Sequence, residues 1–461
     1  MGAGKSTVGE EVARRLGRPF VDLDRELETE TGSSIPDLFA ARGEPVFREL
    51  EEELVVEVLA DAVPSVVALG GGAVTSERVR ESLAHSSLTV WLQIGVEDAW
   101  ARVGGSGRPL ARDEGDFRRL YAERDDLYRG VADGLAADAD DVVLAAGGVH
   151  LELGALARLG SLVPGDRAVA LVSDQRVAGI HGADAQLALG DRLASLHELP
   201  HGEAAKTTAA TEALWEELRL DRSGTIAALG GGCTTDAAGF VAATYNRGIP
   251  WVPVPTTLVG QVDAAIGGKT AVNLLGGKNL VGAFHWPVRT VIDPALLATL
   301  PADERRAGLA EVVKTGLLAG EPLWELPEAE LVRRCAAFKT AVCVRDPRDR
   351  GERAILNLGH TFAHAIEAAS AHRVTHGEAV ALGLLAALRL SGLDTAPVEE
   401  TLAPKPVRVD PERAWEAMRR DKKAAGGRIR LVLLDAPGRP RWPAEVPEPD
   451  VRRALEGIIA A

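Results

Sequence analysis

The sequence predicts an α/β protein in two parts: a small phosphate-handling unit, then a larger unit that joins an α/β half to a helical half. Three observations carry this. Residues 2–6 read Gly-Ala-Gly-Lys-Ser ahead of Val8, Val12 and Leu16 at helical spacing, with Gly17 closing the helix. Residues 225–229 form a short apolar run into Gly230-Gly231-Gly232, and small, helix-compatible residues follow Asp236. Strand, glycine turn, helix is how a backbone comes close to a phosphate and points free N–H groups at it. After Pro301, the strings ERRAGLAEVVKTGLLAG, ERAILNLGHTFAHAIEAAS and HGEAVALGLLAALRLSG all repeat apolar residues at helical spacing.

The 461 residues suffice for two to four domains, each with its own core. Apolar content of 46% and charged content of 26% are those of an ordinary soluble protein. A net charge of −15 argues against nucleic-acid or anionic-membrane binding, while local lysines and arginines can still hold a small anion. Cys233, Cys335 and Cys343 form no CxxC pair and suit a reducing compartment. With no apolar run of membrane-spanning length and no basic-then-apolar leader, the expectation is a cytoplasmic protein.

In the first unit, Gly2, Gly4, Lys5 and Ser6 match the end of G-x-x-x-x-G-K-[ST], whose amides cradle phosphates, whose lysine reaches them and whose serine helps hold Mg²⁺. The first glycine of that pattern and its preceding strand are missing, so we expect a start upstream of Met1. PFVDLDRE reads as a strand with Val21 and Leu23 on one face and Asp22 and Asp24 on the other. Such a pair of acids suits a Mg²⁺-bound phosphate on one side and a hydroxyl to be activated on the other. FRELE, VVALGGGAVTS, a strand at 88–94, GSGRPLA and AERDDLY follow.

In this order these elements resemble shikimate kinase, over residues 1–135. The resemblance implies a P-loop kinase fold on a parallel sheet that transfers the γ-phosphate of ATP, with Mg²⁺, to the 3-hydroxyl of shikimate. Gly2, Gly4, Lys5, Ser6 and Thr7 would hold nucleotide phosphate and Mg²⁺, Asp22 would assist the metal, and Arg102 would pack on adenine. Asp24 would be the base on the shikimate hydroxyl, with Arg48, Gly70, Gly71 and Gly72 completing the pocket. Arg108 would reach the transferred phosphate and Arg124 the substrate carboxylate. The late adenine-loop pattern is absent, with GLAADADDVVL in its place. The competing reading is a degenerate kinase fold kept as a docking or stability module.

The acidic, small-residue stretch 136–141 reads as a linker. Residues 167–174 form a strand ending in Asp174, which could take ribose hydroxyls or cap the next helix. Glu203 and Lys206 follow another short strand. VVALGGGAVTS and IAALGGGCTTD look alike, but their flanks differ, and we reject an internal duplication. Lys269, Lys278 and Asn279 lie in GGKTAVN and GGKNLVG, read as glycine-rich loops that make poor helix or strand. His360 and His364, at i and i+4, share a helix face, and spacing alone proposes both as metal ligands.

From Gly202 onward GEAAKT, LGGGCTTD, TYNRGIPWVPVPTTL, VDAAIGGKTAVN, GGKN, AEVVKTG, RAILNLGHTFAHAIE and HGEAVALG resemble 3-dehydroquinate synthase, over residues 142–461. The resemblance implies an NAD-binding α/β subdomain at 142–300 and an all-helical metal and substrate subdomain at 301–461. NAD would sit at Asp174, Glu203, Lys206, Gly231, Gly232, Asp236, Thr256 and Thr257. Glu311, His360 and His376 would hold Zn²⁺, with Co²⁺ as a substitute, and His364 would lie near the substrate phosphate. The substrate, 3-deoxy-arabino-heptulosonate 7-phosphate, would meet Arg247, Asp263, Lys269, Lys278, Asn279, Lys314, Lys339, Arg353, Asn357 and one of Lys422 and Lys423. Lys269, Lys314, Arg353, Asn357 and His364 are the expected catalytic groups. Asp349 stands where the family often has Glu. The implied reaction cyclises the sugar phosphate with loss of phosphate, NAD being regenerated in each cycle. The resemblance allows a homodimer through the synthase half. Polyol dehydrogenases and other sugar-phosphate cyclases share this fold and are the nearest alternatives.

Overall fold

The computed structural model describes residues 2–104, 113–275, 277–371, 373–420 and 429–460. Arg108, Lys422 and Lys423 lie outside them. Two compact units emerge, Met1–Ala146 and Gly147–Ala461.

The first unit runs α1 (Lys5–Leu16), β1 (Phe20–Asp22), α2 (Leu23–Thr31), α3 (Ile35–Ala60), β2 (Val66–Ala68), α4 (Glu77–Ser86), β3 (Val90–Leu92), α5 (Val96–Val103), α6 (Glu114–Val131), β4 (Gly134–Ala136) and α7 (Ala139–Ala146). Among the described residues the strands form two parallel pairs, β1–β2 and β3–β4. Leu23, Leu27, Phe47, Val55, Val74 and Val79 make the core beside β1 and β2. Two sequence expectations change here. The strand expected through Asp24 stops at Asp22, because the Asp22 side chain accepts from the backbone amides of Asp24 and Arg25 and so caps a helix. The stretch expected as a linker is structured: Ala136 ends β4, and Asp138 accepts from the amides of Asp140 and Asp141 at the start of α7. α7 packs on α1 and belongs to the first unit.

The second unit centres on a parallel sheet of order β7-β6-β8-β9: β6 (Val169–Asp174), β7 (Leu193–Leu199), β8 (Thr225–Gly230) and β9 (Trp251–Pro255). β6, β8 and β9 are buried along their whole length, as strands covered on both faces must be. Pro253 and Pro255 are tolerated because β9 is the edge strand of this sheet. A separate parallel pair joins β5 (Val149–Leu151) to β12 (Thr290–Ile292). Helix α8 (Gly232–Thr244) follows the glycine turn.

Residues 269–284, expected as loops, form an antiparallel hairpin, β10 (Lys269–Leu274) with β11 (Gly277–Phe284). Glycines 267, 268 and 277 sit at the strand ends, while Gly282 lies within β11 opposite Ala271, where a Cβ would strike the Thr270 carbonyl. The C-terminal part that follows includes α9 (Ala302–Ala319), α10 (Glu328–Arg345), α11 (His360–Ala369) and α12 (His376–Ser391), with shorter helices at Ala396–Leu402, Pro411–Arg420 and Glu448–Glu456. Phe362, Ile366, Val380, Leu384 and Leu388 lie at their centre, each at most 1% exposed. This helical part also carries a hairpin, β13 (Arg430–Ala436) with β14 (Arg439–Glu445), whose inner residues Leu431 to Leu434 close the same core.

Candidate active sites

In the first unit, Gly4 takes a left-handed conformation (φ 81°) and begins α1 with no side-chain cap. The first-turn amides of Ser6 and Thr7 have no acceptor inside the helix, as at any helix start, which suits an anion there. The Ser6 hydroxyl donates to Asp22 Oδ2 at 2.5 Å. Asp22 thus fixes a metal-type ligand pair and the start of α2 together. Arg102 donates to the Gly2 carbonyl at 3.2 Å, beside the loop. A cavity of about 110 Å³ is lined by Lys5, Gly70, Gly71, Tyr121, Arg124 and Tyr128, and Arg124 is only 6% exposed.

The glycines at 70 and 72 keep space for charge. A Cβ on Gly70 would lie 3.1 Å from Asp24 Oδ1 and would strike Glu51; one on Gly72 would strike the Arg48 guanidinium. Arg48 pairs with Glu51 at 2.5 Å and with Glu44 at 3.1 Å. Burial pushes the Glu51 carboxyl upward and Arg48 pulls it back. Glu51 was not singled out in the sequence, although FRELE places it one helical turn from Arg48.

In the second unit, the carboxyl ends of the parallel strands gather the nucleotide candidates, where such sheets take ligands. Gly231 leads into α8 without a side-chain cap, leaving the helix N-terminus open at Gly232. Thr256 follows β9 and is 5% exposed; the Thr257 hydroxyl accepts from the Gly260 amide. Asp174 behaves as a cap: Oδ1 accepts from the amides of Arg176 and Val177, and Oδ2 from the Thr234 hydroxyl. Lys206, 5% exposed, donates to Asp236 Oδ2 and Asn279 Oδ1, both at 2.5 Å. Burial opposes its charge, and Asp236 outweighs that burial. Glu203 accepts from Asn273 at 2.7 Å and pairs with Lys278 at 2.9 Å.

The helices bring Glu311 (α9), His360 (α11) and His376 (α12) together, each offering a ligand atom within 4.8 Å of the others. His360 Nε2 lies 3.5 Å and His376 Nε2 3.1 Å from Glu311 Oε1. His360 Nδ1 lies 3.2 Å from the Leu358 carbonyl, so Nδ1 donates and Nε2 keeps its lone pair toward the cluster. Burial holds His360 neutral, with its pKa lowered to about 4. Burial alone would raise Glu311, 1% exposed, but Lys314 and the imidazoles hold its carboxyl well below the usual range. At His376 burial works against charge, yet Glu311 and Glu367 outweigh it and raise its pKa to about 9. A neutral imidazole, a carboxylate and a second imidazole that attracts positive charge suit a divalent cation with N and O ligands.

Lys314 borders this cluster, and Lys339 joins it through Asp263. Lys314 pairs with Asp263 Oδ2 at 2.8 Å and touches Glu311. Lys339 donates to the Asp263 carbonyl at 2.6 Å and contacts its carboxylate. Lys269 pairs with Asp349 at 2.6 Å, so the shorter acid still reaches a lysine. Arg353, 2% exposed, donates to the Gly267 carbonyl at 2.9 Å, and the Asn357 amide donates to the Ala354 carbonyl. His364 stands outside the three-ligand group, its ring 5.7 Å edge-on from that of His360. The i, i+4 pair is thus divided, because Glu311 and His376 approach His360 from other helices. Arg247 is exposed on the turn after α8, with φ 67°. Glu367 is the residue the sequence reading missed. It follows His364 by three residues on α11 and pairs with both Lys278 and His376.

Comparison with known proteins agrees with this division. The shikimate kinase profile matches residues 1–146, and the N-terminal and C-terminal 3-dehydroquinate synthase profiles match 196–307 and 308–424. The 3-dehydroquinate synthase of Bordetella pertussis is 42% identical over 345 residues, covering 67% of this chain and 95% of its own. A 2-deoxy-scyllo-inosose synthase, solved with carbaglucose-6-phosphate, NAD⁺ and Co²⁺, superposes with a TM-score of 0.61 at 26% identity, over 68% of this chain and 96% of its own. A 2-epi-5-epi-valiolone synthase from Streptomyces hygroscopicus, with NAD⁺ and Zn²⁺ bound, gives 0.60 at 26%, over 67% and 96%. This chain belongs to the 3-dehydroquinate synthase family and carries a shikimate kinase domain ahead of its synthase part.

Proposed function

We propose that the chain is a bifunctional enzyme of the shikimate pathway. Its second unit cyclises 3-deoxy-arabino-heptulosonate 7-phosphate to 3-dehydroquinate with loss of phosphate, and its first phosphorylates the 3-hydroxyl of shikimate from ATP. The observation that carries the synthase reading is the Glu311–His360–His376 group, with Glu311 buried, set among Lys314, Asp263 and Lys339. Glu311, His360 and His376 hold Zn²⁺ or Co²⁺, which supplies a Lewis acid for hydroxyl and ketone oxygens. The open amides at Gly231 and Gly232, with Asp236, Thr256, Thr257, Glu203 and Lys206, hold NAD, which supplies the hydride acceptor and donor. Asp174 supports that site by fixing the end of β6 and Thr234.

A substrate with a phosphate and a carboxylate needs fixed cations at both ends. Lys269, Lys278, Asn279, Lys339, Arg353 and Asn357 supply donors along the hairpin and the helices, Arg247 approaches from the turn after α8, and His364 serves the phosphate end. The Lys314 ammonium, held between Asp263 and Glu311, is placed to stabilise negative charge at the reacting carbons.

In the first unit, Lys5 and the α1 amides bind the nucleotide phosphates and the Ser6–Asp22 pair binds Mg²⁺. Asp24 takes the hydroxyl proton, while Arg48 and Arg124 hold the shikimate anion. The chain acts in the cytoplasm; among the described residues no helix is long and apolar enough to cross a membrane. A second copy covers the hairpin β10–β11, where Leu275, Leu280, Val281 and Phe284 are exposed.

The test assays the purified full chain for both reactions before and after chelation. We expect chelator to abolish dehydroquinate formation and Zn²⁺ to restore it. Dehydroquinate formation that survives complete metal stripping would overturn the Glu311, His360, His376 assignment.

A further inference from the structure

Metal-bound imidazoles need their second nitrogen held, so that the ring presents one lone pair in one direction. For His360 that partner is the Leu358 carbonyl. His376 has no such backbone partner among its described contacts. It is the first residue of α12, where Thr375 and Glu378 form the capping box, and its side chain is 40% exposed. The cap does not hold its ring, whose described ring contact is the edge-on one with His360 at 5.5 Å.

The group facing its second nitrogen is Glu367. This carboxylate is buried, with its side chain 7% exposed, and sits seven residues after His360 on the same face of α11. Glu367 Oε1 lies 3.6 Å from His376 Nδ1, while His376 Nε2 faces Glu311 at 3.1 Å. The ring is thus held between two carboxylates, one at each nitrogen. The same Oε1 lies 3.6 Å from Lys278 Nζ on β11, and Lys278 in turn pairs with Glu203 at 2.9 Å. Both Glu367 contacts are ion-pair distances, longer than a hydrogen bond. They order charges rather than lock a single bond.

We infer that Glu367 is a positioning residue: it turns the His376 ring so that Nε2 points at Glu311 and His360, and it anchors Lys278 of the hairpin beside the metal pocket. One buried carboxylate then sets the metal geometry and the hairpin's cation together. The inference rests on the reading of Glu311, His360 and His376 as metal ligands.

Zinc affinity of the metal-stripped full chain, measured by competition with a chromophoric chelator, tests it without reference to turnover. Glu367→Gln keeps the shape and removes the charge. We expect it to lose about 10- to 100-fold in zinc affinity, and to shift the visible bands of the Co²⁺-loaded protein. Lys278→Met, which leaves the carboxylate in place, should keep wild-type zinc affinity. A Glu367→Gln chain that binds zinc as the wild type does would overturn the inference and leave the ligand reading standing. A loss of about tenfold or more in Lys278→Met would also overturn it, by giving the ring's orientation to the lysine. Zinc affinity unmoved by His360→Ala would overturn the ligand reading and this inference together.

Discussion

Lys206→Met is the most informative perturbation of the second unit. The lysine is 5% exposed, and its ammonium is the cation that faces both Asp236 and Asn279. Removing one partner of a buried pair costs about 3–5 kcal/mol, because the other charge is stranded. The Asp236 side chain keeps 20% exposure, so water softens the penalty and the lower figure, about 3 kcal/mol, applies. That corresponds to a fall of roughly 6 °C in the unfolding midpoint of this large unit. Calorimetry gives the readout. The sign with pH follows from Asp236. Burial already raises its carboxyl pKa, and without Lys206 it rises further. A carboxyl that binds its proton more tightly folded than unfolded costs stability above its pKa and loses that cost as pH falls. The Lys206→Met deficit should therefore be full at neutral pH and shrink on acidification. In Lys206→Met/Asp236→Asn the stranded charge is gone, and at least about 1.5 kcal/mol should return. Strict additivity of the two substitutions would refute the reasoning.

Two further outcomes are expected. Lys5→Ala should lower shikimate-dependent ADP release by about 100-fold or more while dehydroquinate formation is unchanged; retained kinase turnover would remove Lys5 from the phosphate site. Leu280→Asp with Phe284→Asp should convert a dimer to a monomer in sedimentation velocity, since burying two carboxylates in an apolar contact is prohibitive; an unchanged sedimentation coefficient would remove the hairpin from the interface.

Much of this arrangement was legible in the chain. β6 and β8 announce themselves as apolar runs because parallel strands are buried on both faces. Where the reading failed, a local rule was outweighed by a neighbouring one. Asp24 alternates correctly with Asp22 for a strand, but Asp22 is a strong N-cap and turns the chain into α2. Residues 136–141 have linker composition, yet Asp138 caps α7. The glycine density around Lys269 and Lys278 hid a hairpin because Gly267, Gly268 and Gly277 mark its ends and Gly282 serves a close strand–strand approach, none of which breaks the ladder. Spacing on one helix could not separate His360 from His364, since the deciding contacts come from α9 and α12. Glu367 was missed for the same reason: its partners Lys278 and His376 lie on other elements.

The two similar glycine strings, 66–76 and 226–236, end up with opposite tasks. After Gly72 the chain makes a short turn, and the room left by missing Cβ atoms is filled by Asp24, Glu51 and Arg48 reaching in from α2 and α3. After Gly231 the chain enters α8 directly, and the room is bounded by Thr234, Thr257 and Ala264. A graft of one string into the other's place would carry the backbone bend and leave the chemistry behind. What either turn admits is set by the side chains that bound its gap, so redesign of the first should start from Asp24, Glu51 and Arg48 and of the second from Thr234, Thr257 and Ala264.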